Sequence, residues 1–256
     1  MQHIFNGTVA LVTGGGTGIG RATALAFAAA GAHVAIASRT QATGEEVVRQ
    51  ITAQGGNAVW IHADVSQSSQ VEAMVASVLS HFGRLDVAFN NAGSGGSGGW
   101  LAEIAEEDWN LTIDGYLKSV FLCMKYEIQA MLDNDSAENR AIVNNSSVDG
   151  QRAFPQDPIY SAAKHGVLGL TKSAGVQYAS RGIRINAVCP GWIRTPPVEK
   201  TLQEYPEIEG QWLTHQPIGR LGAADEVAQA VLWLCSPQAS LITATALAVD
   251  GGYLSI

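Results

Sequence analysis

Three residues in the middle of the chain carry side chains that suit proton transfer to and from an oxygen atom. Tyr160 and Lys164 are four residues apart in a stretch predicted to be helical, so they share one face of that helix. An ammonium group near a phenol favours the phenolate and lowers the pKa of the tyrosine toward neutral pH, which suits a general acid for carbonyl reduction. Ser147 lies at the end of a predicted strand, where its hydroxyl can donate a hydrogen bond to the same oxygen. This spacing also occurs by chance on amphipathic helices, so the assignment depends on the rest of the chain.

A glycine-rich turn near the start of the chain is typical of a phosphate site. Residues 13–20 read Thr-Gly-Gly-Gly-Thr-Gly-Ile-Gly and lie between a predicted strand and a predicted helix. In such a turn Gly14 allows a sharp bend, Gly18 allows the backbone to approach a pyrophosphate, and Gly20 allows the helix to pack close to the sheet. The free N–H groups and the positive dipole end of the helix attract the phosphates. The segment predicts a dinucleotide site, with a plain strand–helix turn as the alternative.

The end of the second predicted strand bears on the type of dinucleotide. A carboxylate about 20 residues after the glycines binds the ribose hydroxyls of NAD. This chain has Ser38-Arg39-Thr40 instead, and no carboxylate before Glu45. An arginine can pair with a 2′-phosphate, and the two hydroxyls can add hydrogen bonds. The segment therefore predicts NADP, unless Arg39 is a solvated loop residue.

Strands and helices alternate along the chain. Short apolar strands are predicted at 8–13, 33–38, 57–62, 85–90, 141–146, 184–188 and 244–249. Helices are predicted at 18–30, 44–53, 68–82, 106–132, 157–180 and 225–235. This order predicts βαβ units and a parallel sheet with helices on both faces.

Two segments interrupt the alternation. Residues 93–99 (GSGGSGG) directly follow a strand and are predicted to form a mobile loop at the carboxyl edge of the sheet. Residues 195–222 lack a predicted strand and are expected to form an irregular lid or substrate loop.

Composition excludes several classes of protein. Of the 256 residues, 46% are hydrophobic and 15% are charged, which argues against disorder. The net charge of −8 argues against a nucleic-acid partner. The cysteines at 123, 189 and 235 have no metal-ligand spacing and suit a reducing compartment. Residues 1–7 lack the pattern of a secretory signal, and no apolar run is long enough to cross a membrane. We therefore expect a cytoplasmic protein with no metal and no membrane contact.

Several short motifs follow one another in a fixed order. They are TGGGTGIG at 13–20, Asp64-Val65, NNAG at 90–93, Ser147 with YSAAK at 160–164, Pro190-Gly191 with Thr195, and DGGY at 250–253. The series resembles the short-chain dehydrogenase/reductase family over essentially the whole chain. The resemblance implies a Rossmann-type, doubly wound parallel sheet of about seven strands, in one domain over 1–256. It also implies homotetramers or homodimers formed through the long helices and the C-terminal region.

The resemblance implies a role for each site residue. Ser147 and Tyr160 polarise the substrate oxygen, Tyr160 exchanges the proton, and Lys164 tunes the tyrosine and binds the nicotinamide ribose. The cofactor contacts predicted from the motifs and the resemblance are Gly14, Thr17, Gly18, Ile19, Gly20, Ser38, Arg39, Thr40, Asp64, Val65, Asn91, Ala92, Gly93, Tyr160, Lys164, Pro190, Gly191, Ile193 and Thr195. NADP(H) is the preferred cofactor and NAD(H) the alternative.

One position departs from the family pattern. The family carries a catalytic Asn in its fourth helix, which binds a water that links the lysine to solvent. Alignment of Asp114 and Leu117 with the family stretch puts Tyr116 at that position, and Gly115 before it predicts a local kink. Three readings stay open: the phenol of Tyr116 carries the relay, water reaches Lys164 by another path, or catalysis is impaired.

The leading hypothesis is an NADP-dependent carbonyl reductase or alcohol dehydrogenase with a small-molecule substrate. A 3-oxoacyl-carrier-protein reductase is an alternative, but it needs a basic surface for its acidic carrier, and 198–210 holds one Lys and four Glu. A nucleotide-binding regulator with little turnover is an alternative of another class, which the intact Ser147, Tyr160 and Lys164 argue against. The substrate itself is not predicted, because specificity falls in 93–100, 148–159 and 195–222.

Overall fold

Runs of small and β-branched apolar residues form the strands of a parallel sheet. The computed structural model describes residues 4–134 and 139–256. Its strands are β1 Val9–Thr13, β2 His33–Ser38, β3 Asn57–His62, β4 Val87–Asn90, β5 Arg140–Asn145, β6 Ile183–Pro190, β7 Ile193–Arg194, β8 Gly222–Ala223 and β9 Ala246–Val249. Seven of them form one sheet in the order β3-β2-β1-β4-β5-β6-β9, and every pairing in it is parallel. The predicted doubly wound sheet is confirmed.

Helices cover both faces of the sheet. They are α1 Gly18–Ala29, α2 Gln41–Ala53, α3 Ser68–Phe82, α4 Glu106–Ile113, α5 Ser119–Leu132, α6 Pro158–Ala179, α7 Pro196–Glu204, α8 Ile208–Leu213 and α9 Ala224–Cys235. Successive strand residues point to opposite faces, so Leu11 packs with α3, α5 and α6, whereas Val12 packs with α1, α2 and α9. The order of strands reverses between β1 and β4, and ligands bind at the carboxyl ends of strands at such a point.

Most predicted boundaries agree with the structure within three residues, and the starts of two helices illustrate the differences. Helix α2 begins at Gln41, three residues before the predicted start. Helix α6 begins at Pro158, because the Asp157 carboxylate accepts the backbone N–H of Tyr160 at 2.9 Å and caps the helix.

The helix predicted over 106–132 is interrupted. Helices α4 and α5 are separated by one wide, π-type turn over Asp114–Lys118. A side chain at Gly115 would overlap the carbonyl oxygen of Ser94, so glycine is required here, and the helix predicted to kink at this residue contains the wide turn instead of a continuous α-helix. The hydroxyl of Ser119 donates to the Gly115 carbonyl at 2.8 Å and satisfies an acceptor inside the wide turn. The turn carries Tyr116 toward the carboxyl edge of the sheet.

The segment 195–222 is more regular than predicted. It contains α7 and α8, and it ends at β8, which pairs in parallel with β7. The expectation of an irregular segment without a strand is therefore wrong. The reason is length: α8 has six residues and β8 has two, too few for a periodic pattern.

Two other expectations depend on the chain outside the regular elements. Residues 93–99 form neither helix nor strand and follow β4 at the carboxyl edge, as expected, while their mobility stays a prediction. The expected absence of a secretory signal concerns 1–7, of which 1–3 lie outside the described residues. No helix in 4–134 or 139–256 combines the length and apolarity needed to cross a bilayer.

A buried polar cluster lies beneath the carboxyl edge. The Asn90 amide donates to Glu127 Oε2 and to Asn144 Oδ1, each at 3.0 Å. Within the described residues, Glu127 Oε1 and Asn90 Oδ1 have no hydrogen-bond partner. Burial raises the pKa of Glu127 to about 7, against the opposing effect of the Asn90 hydrogen bond. A neutral carboxylic acid fits this cluster, since it removes the buried charge and supplies a donor.

Replacement of Glu127 is expected to change how stability depends on pH. The pKa of Glu127 rises from 4.5 in the unfolded chain to about 7, so its contribution is complete below pH 4.5 and is lost as the pH rises through 7. Glu127→Gln keeps the shape without the charge. We expect its unfolding free energy, relative to the wild type, to rise by up to about 3 kcal/mol between pH 5 and pH 8.

Urea unfolding at both pH values checks this expectation. The matched control is Glu72→Gln, which removes an exposed carboxylate from α3. A pH dependence of Glu127→Gln that equals that of the control would contradict a neutral Glu127.

Candidate active site

The glycine-rich turn follows β1 and packs against the carboxyl end of β4. Gly14 has a φ of +64°, and a side chain at Gly20 would overlap the Gly14 carbonyl oxygen. The hydroxyl of Thr13 accepts the N–H groups of Asn91 at 3.0 Å and Ala92 at 3.1 Å. The Asn91 amide in turn donates to the Thr13 carbonyl at 3.1 Å. These bonds hold the turn against the end of β4.

A cleft of about 210 Å³ opens above this turn, and we call it the nucleotide cleft. Its lining residues are Gly14, Gly16, Thr17, Ala37, Ser38, Arg39, Thr40, Thr43, Ala63, Asp64, Val65, Ser66, Ala92, Gly93, Ser94 and Gly115. Helix α1 starts here, and no side chain caps its first N–H groups. Open helical N–H groups beside a turn that excludes side chains fit a dinucleotide pyrophosphate.

The ribose end of the cleft contains one exposed cation. Arg39 forms no ion pair with any described residue. The hydroxyl of Ser38 accepts from Trp60 Nε1 at 3.0 Å and donates to the Thr40 carbonyl at 3.3 Å, so its proton is already used. The expected donation from Ser38 to a phosphate is therefore not favoured, whereas the Arg39 guanidinium is available.

The predicted catalytic residues meet beside the end of β5. Lys164 is buried, and its ammonium donates to the carbonyl of Asn145, the last residue of β5, at 2.7 Å. The same ammonium lies 5.5 Å from the ring centre of Tyr160. The hydroxyl of Ser147 accepts the N–H of Asp149 at 3.0 Å and donates to its carboxylate at 3.2 Å.

Burial controls the protonation of this group. It raises the pKa of Tyr160 well above 10, the Tyr116 phenol adds to the rise, and the neighbouring Ser147 hydroxyl opposes it. Burial also lowers the pKa of Lys164 to about 8. Burial therefore opposes the lowering of the Tyr160 pKa that is expected from Lys164, and that expectation stays a prediction.

A cavity of about 730 Å³ adjoins these residues, and we call it the catalytic cavity. Its lining residues are Ile19, Gly96, Tyr116, Asn145, Ser146, Ser147, Val148, Asp149, Phe154, Asp157, Tyr160, Pro190, Gly191, Trp192, Ile193, Thr195, Pro197, Val198, Thr201 and Tyr253. Much of this wall is aromatic or aliphatic. The cavity can therefore hold an apolar ring with its oxygen at Ser147 and Tyr160.

Trp192 forms a wall of the cavity and is held from two sides. Its ring stacks on Trp212 of α8, with the ring centres 4.1 Å apart and the planes 9° apart. The buried side-chain amide of Gln216 accepts the backbone N–H of Trp192 at 2.9 Å and donates to the backbone carbonyl of Trp192 at 3.3 Å. The stack connects the lid segment to the cavity wall.

The ring of Tyr116 lies between the glycine-rich loop and the lysine. A side chain at Gly93 or Gly95 would contact this ring at 2.5 Å and 2.8 Å, so only glycines leave it room. The Lys164 ammonium lies 4.8 Å from the Tyr116 ring centre, within the range of a cation–π contact. Burial raises the pKa of Tyr116, and the charge of Asp157 adds to the rise. Tyr116 and Asp157 both line the catalytic cavity.

This combination of fold, glycine turn and catalytic group is matched among known proteins. A family model described as enoyl-(acyl carrier protein) reductase matches residues 14–254. The chain belongs to the short-chain dehydrogenase/reductase family. As a member of it, the chain is an oxidoreductase of alcohol and carbonyl groups that uses a nicotinamide cofactor.

Relatives of this dehydrogenase/reductase cover the whole chain. It is 43% identical over 255 residues to a cyclohexanol dehydrogenase of Acinetobacter sp., which covers 100% of this chain and 98% of the relative. It is 42% identical over 251 residues to a 2,5-dichloro-2,5-cyclohexadiene-1,4-diol dehydrogenase of Sphingobium indicum, covering 98% of both. The solved structure of ElxO with NADP bound is 36% identical, with a TM-score of 0.90, covering 97% of this chain and 99% of that one. These relatives favour an oxidoreductase of alcohols and carbonyl compounds over a 3-oxoacyl-carrier-protein reductase and over a nucleotide-binding regulator.

The structure brings the predicted site residues of this dehydrogenase/reductase to one edge of the sheet. Those that line the nucleotide cleft are Gly14, Thr17, Ser38, Arg39, Thr40, Asp64, Val65, Ala92 and Gly93. Those that line the catalytic cavity are Ile19, Tyr116, Ser147, Tyr160, Pro190, Gly191, Ile193 and Thr195. Gly18, Gly20 and Asn91 shape the turn, and Lys164 lies buried at the end of β5.

Sequence reasoning missed several residues of the site, and four of them show which signals the sequence did and did not contain. Thr43 lines the nucleotide cleft, and a correct start for α2 would have placed it there. Asn145 contributes only a backbone carbonyl, which residue type does not reveal. Asp149 is two residues after Ser147, a spacing that was available as a signal. Gln216 acts from a distant segment, and no local pattern indicates that contact.

Two variants at the departing position separate the ring of Tyr116 from its hydroxyl. We expect Tyr116→Phe to stay close to wild-type kcat, because Lys164 contacts the ring. Loss of a proton-transferring hydroxyl would instead cost about a hundredfold or more. Tyr116→Asn removes the ring and admits water to the ammonium, so we expect the pKa of Lys164 to rise from about 8 and the pH profile of kcat to shift upward. A hundredfold loss in Tyr116→Phe would show that the hydroxyl carries the relay.

Proposed function

We propose that the protein interconverts an alicyclic secondary alcohol and the corresponding cyclic ketone with NADP(H). The observation that carries this proposal is the catalytic cavity, in which Ser147 and Tyr160 face aromatic walls formed by Phe154, Trp192 and Tyr253. A compact apolar ring matches that wall, since it buries its surface against aromatic side chains while its oxygen reaches the two hydroxyls. Two of the relatives named above, a cyclohexanol dehydrogenase and a cyclohexadiene-diol dehydrogenase, support the same class of substrate.

The residues of the chain divide the work between binding and proton transfer. The turn at 14–20 would hold the pyrophosphate, Asp64-Val65 and Ala92-Gly93 the adenosine, and 190–195 the carboxamide. When bound, the nicotinamide accepts or supplies the hydride. Ser147 and Tyr160 bind the substrate oxygen, and Tyr160 gives its proton to the forming alkoxide during reduction. Lys164, fixed by the Asn145 carbonyl, binds the ribose and adds positive charge beside the phenol.

Removal of the Tyr160 hydroxyl tests the proton-transfer role. We expect Tyr160→Phe to reduce kcat for a cyclic ketone by about 10²–10⁴-fold, the usual contribution of a general acid. NADPH binding, followed by nucleotide fluorescence, should remain close to that of the wild type. The matched control is Tyr126→Phe, whose hydroxyl contacts Ser68 instead of the catalytic cavity. Full activity of Tyr160→Phe would refute this assignment.

The preference for NADP rests on Arg39. Its exposed guanidinium lines the nucleotide cleft and has no ion-pair partner in 4–134 or 139–256, so it can bind a 2′-phosphate at little cost. No carboxylate occupies the usual position at the end of β2, where it would repel that phosphate.

Replacement of Arg39 tests the cofactor preference. A hydrogen-bonded ion pair contributes about 1.5–3 kcal/mol, so we expect Arg39→Ala to lower kcat/KM for NADPH by about tenfold to a hundredfold and to leave that for NADH nearly unchanged. Arg49→Ala is the control, because Arg49 lies on the same helix as Thr43 but pairs with Glu46 outside the cleft. Equal losses with both cofactors would contradict the preference.

The remaining expectations extend this proposal to the whole molecule. We include a lid role for 195–222, supported by the stack of Trp212 on Trp192. We also include association of copies through α5 and α6, supported by an apolar groove of about 410 Å³ between them and by half-exposed Phe121. A cytoplasmic location suits three buried cysteines that are free thiols.

A further inference from the structure

Asp149 lines the catalytic cavity, and its carboxylate has few hydrogen-bond partners in the protein. Its backbone supports the site, since its N–H donates to Ser147 and its carbonyl accepts the Ser161 hydroxyl at 2.9 Å. The carboxylate makes a single hydrogen bond within 4–134 and 139–256, from the Ser147 hydroxyl at 3.2 Å. Oxygen Oδ1 and the remaining lone pairs of Oδ2 therefore have no protein donor.

The surroundings of Asp149 do not neutralise it. No Lys, Arg or His nitrogen of the described residues lies within 4.0 Å of its oxygens. Arg152 and the buried Lys164 influence the carboxylate from a distance. Both have other partners: the Arg152 guanidinium donates to the Tyr253 carbonyl at 3.3 Å and covers the Tyr253 ring, and the Lys164 ammonium donates to the Asn145 carbonyl. Asp157 adds a second negative charge to the same wall, and no basic side chain lines the cavity in the part of the chain described.

Burial makes this arrangement costly in the absence of a donor. The carboxyl group is largely removed from water, which raises the pKa of Asp149 against the hydrogen bond from Ser147. A partly buried carboxylate with unused acceptor sites is stabilised by a donor that enters the cavity. No other protein donor of the described residues bonds to this carboxylate, and it loses the bond from Ser147 when that hydroxyl turns to donate to the substrate oxygen. The compensating donor therefore comes from the substrate side.

The position of Asp149 relative to Ser147 fixes where that donor lies. Ser147 binds the reacting oxygen, and Asp149 Oδ2 is 3.2 Å from the Ser147 hydroxyl oxygen. Adjacent oxygens of a vicinal diol are separated by about one hydrogen-bond length, which is similar. A substrate oxygen at Ser147 therefore brings a hydroxyl on the neighbouring carbon within reach of the Asp149 carboxylate.

We propose that Asp149 is a specificity-determining residue that selects alicyclic alcohols bearing a second hydroxyl on the carbon next to the reacting one, and disfavours substrates that carry a carboxylate. The inference rests on the proposed function and deepens it. Oxidation of such a diol removes hydride and proton from one carbinol only and yields an α-hydroxyketone, with NADP⁺ as the oxidant. The second hydroxyl keeps its proton and donates it to Asp149 as a hydrogen bond.

A comparison of four substrates tests this selection. The probes are cis- and trans-1,2-cyclohexanediol, cyclohexanol and 4-hydroxycyclohexanecarboxylate, and the quantity is the ratio of their kcat/KM values. Hydrogen bonds to a charged acceptor correspond to about tenfold to a hundredfold, so the wild type should prefer a diol over cyclohexanol by at least about tenfold. It should use the carboxylate least.

The variants Asp149→Ala and Asp149→Asn isolate the carboxylate. In Asp149→Ala the diol preference should fall to about one, mainly through a higher KM for the diol. Asp149→Asn keeps an acceptor without charge, so it should show an intermediate preference and a gain with the carboxylate substrate. The matched control is Asp225→Ala, an exposed carboxylate in the first turn of α9, which should retain the wild-type ratios.

Each outcome decides between the two proposals. Melting temperatures and NADPH binding establish which variants are folded, and Asp149→Asn, which is nearly isosteric, carries the test if the alanine variant is not. A wild type that oxidises cyclohexanol without a diol preference, or variants that keep the wild-type ratio, would overturn the role of Asp149 alone. A wild type that turns over no cyclic alcohol would overturn the proposed function, and this inference with it.

Discussion

The close approach of β1, β4 and the wide turn after α4 determines the rest of the site. It is possible only where side chains are missing: a Cβ atom at Gly14 would lie 2.9 Å from the Ala92 backbone, and one at Gly115 would overlap Ser94. The hydroxyl of Thr13 completes the junction by accepting two N–H groups from the strand beside it. Close packing of backbones at the switch point leaves the nucleotide cleft on one side and the catalytic cavity on the other.

Buried ionisable groups accumulate around this junction, and each is controlled by desolvation. The Lys164 ammonium is one of these groups, and one carbonyl and two aromatic rings lie close to it in place of water. Glu127 lies deeper, where burial raises its pKa to about 7. Their carbonyl and amide partners, Asn145 and Asn90, end neighbouring strands of the sheet. The ionisable groups of the catalytic site and of the buried polar cluster therefore lie near one edge of the sheet.

The fold and the outline of the site could be predicted from the sequence because their signals are local. Glycines at a strand–helix junction, Tyr160 and Lys164 one helical turn apart, and alternating apolar runs all fall within short windows. The protonation of Tyr160 could not be predicted, because it depends on how much water the surrounding helices exclude, and spacing carries no information on burial. Gln216 was missed for a related reason: its partner Trp192 is 24 residues away, on another element. The break in the helix at 114–118 was predicted only in part: Gly115 indicated an irregular position, but nothing in the sequence indicated a wide turn.

The packing of Tyr116 limits which substitutions its neighbours can accept. The aromatic ring fits only because 93 and 95 are glycines, and the turn beneath it fits only because 115 is one. Substitutions at these sites are therefore strongly epistatic: a side chain at 95 that a smaller residue at 116 would tolerate is excluded once the tyrosine is present. Gly95, which lies outside the nucleotide motifs, is thus held in place by a neighbour twenty-one residues further along the chain.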